Sequence, residues 1–398
     1  MTGAYVYDPI RTPFGRYGGA LSGVRPDDLA AGVVRTLTSR ATGLDPDRID
    51  SVVFGNANGA GEDNRCVARM ATLLAGLPTS LPGTTVNRLC GSGLDAAMLA
   101  SREVETGDSE LVLVGGVESM SRSPWVLPKS DKPFPAGDLT AHSTALGWRL
   151  VNPAMPDEWT VSLGEATEQL AEAKQVGRDR QDAFAVASHT RAAAAWEAGR
   201  YDGWVVPVDG TDLTRDEGIR TGTSVEALAG LKPVFRKAGT VTAGNSSPLT
   251  DGAGAVWIGT ETAADRLGTG PLARVAGRGA SALEPQFFGL GPVEATERAL
   301  ARAGIGWDDV AAVELNEAFA AQSLACLDAW PVGHELVNAW GGAIAIGHPL
   351  GASGVRILGT LARRLATTGG RWGVAAICIG VGQGLAVVLE NVSTGGER

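Results

Sequence analysis

Three glycine-rich stretches hold the residues best suited to covalent chemistry. Cys90 stands in VNRLCGSG, directly before Gly91, Ser92 and Gly93 and the helix they open. A thiol at a helix start feels the positive end of the dipole and unpaired N–H groups, which favours thiolate. The small residues after it let the backbone approach a bound group and offer N–H groups to an oxyanion. A small buried hydrophobe in a tight turn fits the same local sequence equally well. His348 lies in GGAIAIGHPLGASG, where two glycine-rich turns surround one imidazole and Pro349 stiffens the backbone after it. A lone histidine is more often structural, but an ordinary core needs no glycine-dense turn. Cys378 follows WGVAAI and precedes Gly380, Gly382 and Gly384. That puts it at the carboxyl end of a predicted strand, where open α/β sheets bind ligands. Asn316 and Glu317, in LNEAF, end another predicted strand. Cys66 and Cys326 have no such setting, and Cys326 in AAQSLACLDAW reads as packing. Cys90, Cys378 and His348 lack the close-paired spacing of zinc motifs, so no metal is expected.

The elements that must position these residues occur in pairs. Residues 26–55 give an amphipathic helix, a glycine-containing turn and a short apolar strand, and residues 292–316 repeat that order. GSGLDAAMLASREVETGDSELVLVGG (91–116) and GASGVRILGTLARRLATTGGRWGVAAICIG (351–380) each run from a glycine-rich turn through a helix to an apolar strand. Strands apolar on both faces and separated by helices indicate a parallel sheet covered on both sides. A pair over 250 residues apart implies duplication rather than a solenoid. Between the halves the texture changes, with Pro124, Pro128, Pro133, Pro135, Pro153 and Pro156 marking loop. Ser162 and Glu165 have capping-box spacing for a helix over 164–174. A second, alanine-rich amphipathic helix is predicted from Arg178 to Ala198. The reading is a first half over 1–120 plus about 250–270, an inserted mostly helical domain over 121–249, and a second half over 271–398.

Composition narrows the class. The 398 residues are 44% hydrophobic and 20% charged, as in a globular protein. No apolar run approaches the roughly 20 residues of a membrane span, and the amino terminus lacks a secretory pattern. Four scattered cysteines make no disulfide framework, which fits a reducing cytoplasm. A net charge of −10 argues against nucleic-acid or membrane partners, and requires a local basic patch for any polyanionic ligand.

Taken together the blocks resemble the thiolase family over essentially the whole chain. They are VNRLCGSGLDAA, GGVESMS (115–121), GTVTAGNSSPLTDGA (239–253), ELNEAFAAQ (314–322), GGAIAIGHPLGASG (341–354) and CIGVGQG (378–384). The resemblance implies the thiolase fold, duplicated layered αβαβα halves with the inserted loop domain. It also implies two-step acyl transfer on coenzyme A thioesters, CoA being a substrate and no cofactor being bound permanently. Cys90 would attack the keto carbon of a 3-oxoacyl-CoA while His348 takes its proton, and Cys378 would protonate the departing acetyl-CoA enolate. One oxyanion hole would use His348 and a water held by Asn316; the other would use the N–H groups of Cys90 and Gly380. Cys90 would need thiolate character, and Cys378 a pKa near the reference of about 8.5. Ser247 and Ala243 would meet the pantetheine arm, Arg220 the nucleotide end, and Ala318 and Phe319 the substrate. Arg220, Lys232, Arg236 and Lys237 would supply the positive potential. A homodimer or homotetramer is implied.

The departures are specific. Ser162-Leu163-Gly164 stands where many relatives have His-Met-Gly, Trp340 replaces a small polar residue, and Val381 stands where many carry glycine. CIGVGQG and LGWRLVNP (146–153) look most like 3-oxoadipyl-CoA thiolases, whose substrate ends in a carboxylate; Arg122 and Arg149 are candidates to meet it. Acetoacetyl-CoA and general 3-oxoacyl-CoA thiolases fit the same motifs. A ketoacyl-synthase-type condensing enzyme would lack the second thiol, and a non-catalytic binding homologue would tolerate loss of Cys90 or His348.

Overall fold

The computed structural model describes residues 2–134 and 136–393. Nine strands form one continuous path, in the order 310–315, 372–379, 383–391, 273–282, 5–11, 250–259, 111–119, 51–55, 83–86, and Gly15–Arg16 adds a short pairing. The predicted pairs are there. Helix Pro26–Arg40 leads to strand Ser51–Gly55, and helix Gly291–Ala303 leads to Val310–Leu315. Helix Ser92–Thr106 leads to Leu111–Ser119, and Leu350–Thr368 to Trp372–Ile379. Even the edge is echoed, since Gly83–Val86 pairs parallel with 51–55 while Val337 makes one parallel bridge to Val313.

The sheet is mixed, not parallel. Strands 51–55 with 83–86 and 111–119, and 310–315 with 372–379, are parallel. Thr250–Gly259 and Gln383–Asn391 run antiparallel to their neighbours. For 383–391 the cause is connection length. Gly380, Val381 and Gly382 turn 372–379 straight into 383–391, and so short a link permits only antiparallel pairing. Both strands are nearly all buried, so apolar character could not distinguish them from parallel ones.

Helices 92–106 and 350–368 pack on one another between the strands of the two halves, while 26–40 and 291–303 cover the outer faces. The central approach requires glycine: a Cβ on Gly354 would lie 1.9 Å from the Leu94 nitrogen, and one on Gly93 2.4 Å from the Gly351 carbonyl oxygen. The starts of the two central helices are thereby locked together. Glu314, fully buried on 310–315, binds Arg364 (2.5 Å) and faces Arg356 (3.7 Å) on the second of them. Removing one member of a buried ion cluster strands the others, so Glu314→Ala is expected to lose about 3–5 kcal/mol in urea unfolding. A loss below about 1 kcal/mol would show the cluster to be dispensable.

Between Ser119 and Thr250 the chain leaves the sheet. Ser162 caps helix Leu163–Ala173 by accepting the Glu165 N–H (3.1 Å), as its spacing predicts. Helix Arg178–Glu197 comes next, but its buried face is not simply apolar: Gln181, Asp182, Ser188 and His189 lie inward among the alanines. Each finds a partner, Asp182 from Asn245 (2.9 Å), Ser188 at Glu317 (2.7 Å), His189 from the Arg220 N–H (3.2 Å) and Gln181 at Thr240 (2.9 Å). Three of these bonds tie the helix to the rest of the insertion, and the fourth, Ser188 to Glu317, ties it to the second half. Trp340 is packing. It is buried edge-on to Tyr201 (6.4 Å between ring centres), whose hydroxyl donates to the Trp340 carbonyl (2.5 Å).

Candidate active site

Cys90 sits one residue before the cap of helix 92–106, on a turn held by its own side chains. Ser92 Oγ donates to the Leu89 carbonyl (2.6 Å) and accepts the Arg88 N–H (2.9 Å), while Asn87 Oδ1 accepts the Leu89 N–H (3.0 Å). Leu89 has φ +48°, an unfavourable left-handed value immediately before the thiol. The sulfur is buried and receives the Gly380 N–H and its own. Burial, with the Glu118 carboxylate nearby, pushes its pKa up to about 11, against the pull of those two donors. Contrary to the expectation from sequence, the helix start therefore does not make a standing thiolate. Burial opposes the charged form, and the thiol needs a base to act as a nucleophile.

His348 is prepared for that task. The Ser353 hydroxyl donates to the Pro349 carbonyl (3.1 Å), so in its 2.6 Å pairing with Nδ1 it is the ring that donates. Nε2 is left with a lone pair. The His348 N–H is held by Thr250 Oγ1 (3.1 Å). Burial, then the charge of Arg356, lowers the imidazole pKa to about 3, so it is neutral at pH 7. Asn316 turns Nδ2 toward the ring because Arg356 donates to its Oδ1 (3.1 Å), and with Nδ1 protonated the amide N–H can be accepted only by Nε2 (3.5 Å).

Cys378 ends strand 372–379 and is buried against Ala166, Phe288 and Ala318, with Leu163 and Phe319 beside them. Burial raises its pKa well above the usual thiol range, and the Cys90 and Cys326 sulfurs add to that rise. The expected reference-like value is thus corrected upward, and the two catalytic candidates are close enough to feel one another. Ser247 donates to the Ala318 carbonyl through both N–H and hydroxyl (3.0 Å each), and Ser246 bridges Phe319. Ala243 and Arg220 are exposed. Arg236 is not free, being paired with Glu165 and Glu172. Cys326 donates to the Gly289 carbonyl (3.1 Å), the packing role its sequence suggests. No cluster of three metal-capable side chains occurs among the described residues.

Cys90 and Gly380 open on a cavity of about 430 Å³. Its wall is apolar where Leu89, Met120, Leu163, Leu249 and Leu350 meet, and polar where Asn58, Thr144 and Arg149 meet. Leu163, from the divergent Ser162-Leu163-Gly164 run, therefore lines this space rather than the distant surface. Glu118 also lines it, accepting the N–H groups of Ala57 (2.9 Å), Asn58 (3.1 Å) and Gly351 (3.0 Å), and burial pushes its pKa to about 7. Glu118, Ser353, Thr250 and Arg356 all lie within or beside blocks noted in the sequence. Their separations of up to 233 residues from their partners, as for Glu118 and Gly351, gave no signal of pairing. Val381 has φ +66°, a strained value for a β-branched residue in the turn that presents Gly380.

A buried thiol beside a second one, with a neutral imidazole that can accept a proton, suits enzymes that carry acyl groups on sulfur. Comparison with known proteins agrees. Residues 4–262 match the thiolase N-terminal domain and residues 269–391 the thiolase C-terminal domain. The chain is 49% identical to a beta-ketoadipyl-CoA thiolase of Escherichia coli (98% of this chain, 100% of that one) and 46% to one of Pseudomonas putida (98% and 100%). The crystal structure of human mitochondrial 3-ketoacyl-CoA thiolase in complex with CoA is similar at TM-score 0.91 and 36% identity, covering 98% of each chain. This chain belongs to the thiolase family. It is an acyltransferase of the acetyl-CoA C-acyltransferase class, and thiolases use CoA as a substrate.

Proposed function

We propose that this thiolase cleaves 3-oxoadipyl-CoA with CoA, giving acetyl-CoA and a four-carbon dicarboxylic acyl-CoA. The observation that carries the substrate is full-length likeness, at 46–49% identity, to relatives named for it. In this reading His348 Nε2 takes the Cys90 proton as sulfur attacks C3 of the substrate. The C2–C3 bond breaks, the acyl group stays on Cys90, and Cys378 gives its proton to the acetyl-CoA enolate. The incoming CoA thiol attacks the acyl-sulfur bond and reprotonates Cys378, while His348 returns its proton to Cys90. The neutral imidazole and the high thiol pKa values support these roles, since each group starts in the form its step needs. Asn316 would hold a water beside His348, and the Gly380 and Cys90 N–H groups would face the tetrahedral oxyanion.

The rest of the reading rests on the family. Ser247, Ala243, Ala318 and Phe319 line the pantetheine path, and Arg220, with Lys232 and Lys237, meets the phosphates. The chain divides into halves over 1–120 with 250–270 and over 271–398, joined by a CoA-binding insertion over 121–249. Exposed Trp125, Leu127, Phe134 and Leu139 support a homodimer or homotetramer. No helix among the described residues is long and apolar enough to cross a membrane. The net charge of −10 and the four free cysteines support a cytoplasmic enzyme acting on CoA thioesters.

Thiolysis of a substrate panel tests the proposal. kcat/KM for 3-oxoadipyl-CoA is expected to exceed that for acetoacetyl-CoA and for uncharged 3-oxohexanoyl-CoA by about tenfold or more, since a buried charge-assisted pair contributes about 1.5–3 kcal/mol. A preference for acetoacetyl-CoA would overturn the substrate and leave the thiolase chemistry standing.

A further inference from the structure

We propose that Arg149 is the subsite for the terminal carboxylate of the acyl chain, a recognition site built by the insertion beside the nucleophile. The inference rests on the dicarboxylic substrate proposed above and names the group that would read it. Arg149 and Cys90 line the same cavity. Among the described residues the Arg149 guanidinium meets only neutral oxygens, the Thr144 carbonyl and Asn58 Oδ1, each at a stretched 3.4 Å. Its planar fork of donors is therefore free to close on a carboxylate.

The other groups in the cavity are engaged elsewhere. Asn58 Nδ2 donates to Ser123 Oγ (2.9 Å) and Thr144 Oγ1 (3.0 Å), which turns Oδ1 toward the arginine and fixes the polar end. The Glu118 oxygens are occupied by three backbone N–H groups, so this carboxylate is not the arginine's partner. Arg122, the other basic candidate in this loop, is ruled out because Glu62 holds its guanidinium through two contacts. The same cavity is also lined by the apolar side chains of Met120, Leu146 and Leu350. A methylene chain that ends in a carboxylate suits a cavity lined by both apolar side chains and a free guanidinium. Arg149 is half-buried, and an uncharged acyl chain would offer its guanidinium no charged partner, so the site favours the acid.

The test measures thiolysis of 3-oxoadipyl-CoA, its methyl ester and 3-oxohexanoyl-CoA by the wild type, Arg149→Met and Arg149→Lys. In Arg149→Met the ratio of kcat/KM for the acid over 3-oxohexanoyl-CoA is expected to fall about 30–100-fold, the size of a lost charge-assisted pair. Arg149→Lys should recover part of that ratio, and the methyl ester should behave as the uncharged substrate in all three proteins. Because the readout is a ratio, a general loss of folding cannot mimic it. A wild type that prefers the acid, with a ratio unmoved in Arg149→Met, would overturn the assignment of Arg149 and leave the substrate intact. A wild type without any preference for the acid would overturn both.

Discussion

Cys90→Ala is expected to lower thiolysis by at least about 10⁴-fold, because removing a nucleophile removes the covalent route itself. The variant should fold, since the exchange deletes one small buried atom, and intact-protein mass spectrometry should find no acyl adduct after incubation with acetyl-CoA. In the wild type the adduct should appear, and Cys90 should be the first thiol alkylated by iodoacetamide, with protection by acetyl-CoA. The high pKa of Cys90 adds a sharper expectation. If His348 is the base that raises the thiolate fraction, His348→Ala should slow that alkylation at pH 7 by tenfold or more, roughly the range of general-base effects. A standing thiolate would be alkylated in His348→Ala at the wild-type rate, and that result would restore the helix dipole as the activating element. Modification of Cys66 or Cys326 first, with activity lost in step, would remove Cys90 from the reaction altogether.

The contrast between dipole and desolvation shows where the sequence stopped being informative. That Cys90 precedes a helix is legible, because Gly91, Ser92 and Gly93 punctuate the chain before an amphipathic run. How deeply the sulfur is buried is not, because that depends on the start of helix 350–368 and the end of strand 372–379, over 250 residues away. The same limit applies to the sheet. Thr250–Gly259 and Gln383–Asn391 are as apolar as the parallel strands, and direction is set by connections rather than by composition. Helix 178–197 was legible in length but not in its inward face, where polar residues are matched to partners far along the chain.

Duplication, by contrast, was legible and explains the site. Cys90 leads into helix 92–106 and His348 leads into helix 350–368, so the thiol and the imidazole occupy corresponding places in the two halves. Asn56, after strand 51–55, and Asn316, after strand 310–315, correspond in the same way. The glycine contacts that lock the two central helices at their starts bring these corresponding turns together. A fold made twice thus offers one site two different loops at each position, and the sequence of each loop decides its task.

The division of labour between the sulfurs carries the second large expectation. Cys378→Ala should reduce exchange of the acetyl-CoA methyl protons with deuterium by about 10³-fold, within the range for loss of a general acid–base group, and overall thiolysis with it. Acylation of Cys90 by acetyl-CoA should be far less affected, because that half-reaction forms no carbanion and leaves His348 and the Gly380 N–H in place. NMR of the methyl signal measures the first, and the mass adduct measures the second in the same preparation. The physical reason is the contrast in surroundings. Cys90 receives the Gly380 N–H and its own, whereas Cys378 lies among Ala166, Phe288 and Ala318 beside another sulfur, and its proton is the more firmly held. A group that holds its proton until a carbanion forms nearby is an acid and not a competing nucleophile. If Cys378→Ala exchanged methyl protons at the normal rate while Cys90→Ala did not, another residue would be the acid, and Glu118, with its pKa raised to about 7 in the same cavity, would be the group to replace next.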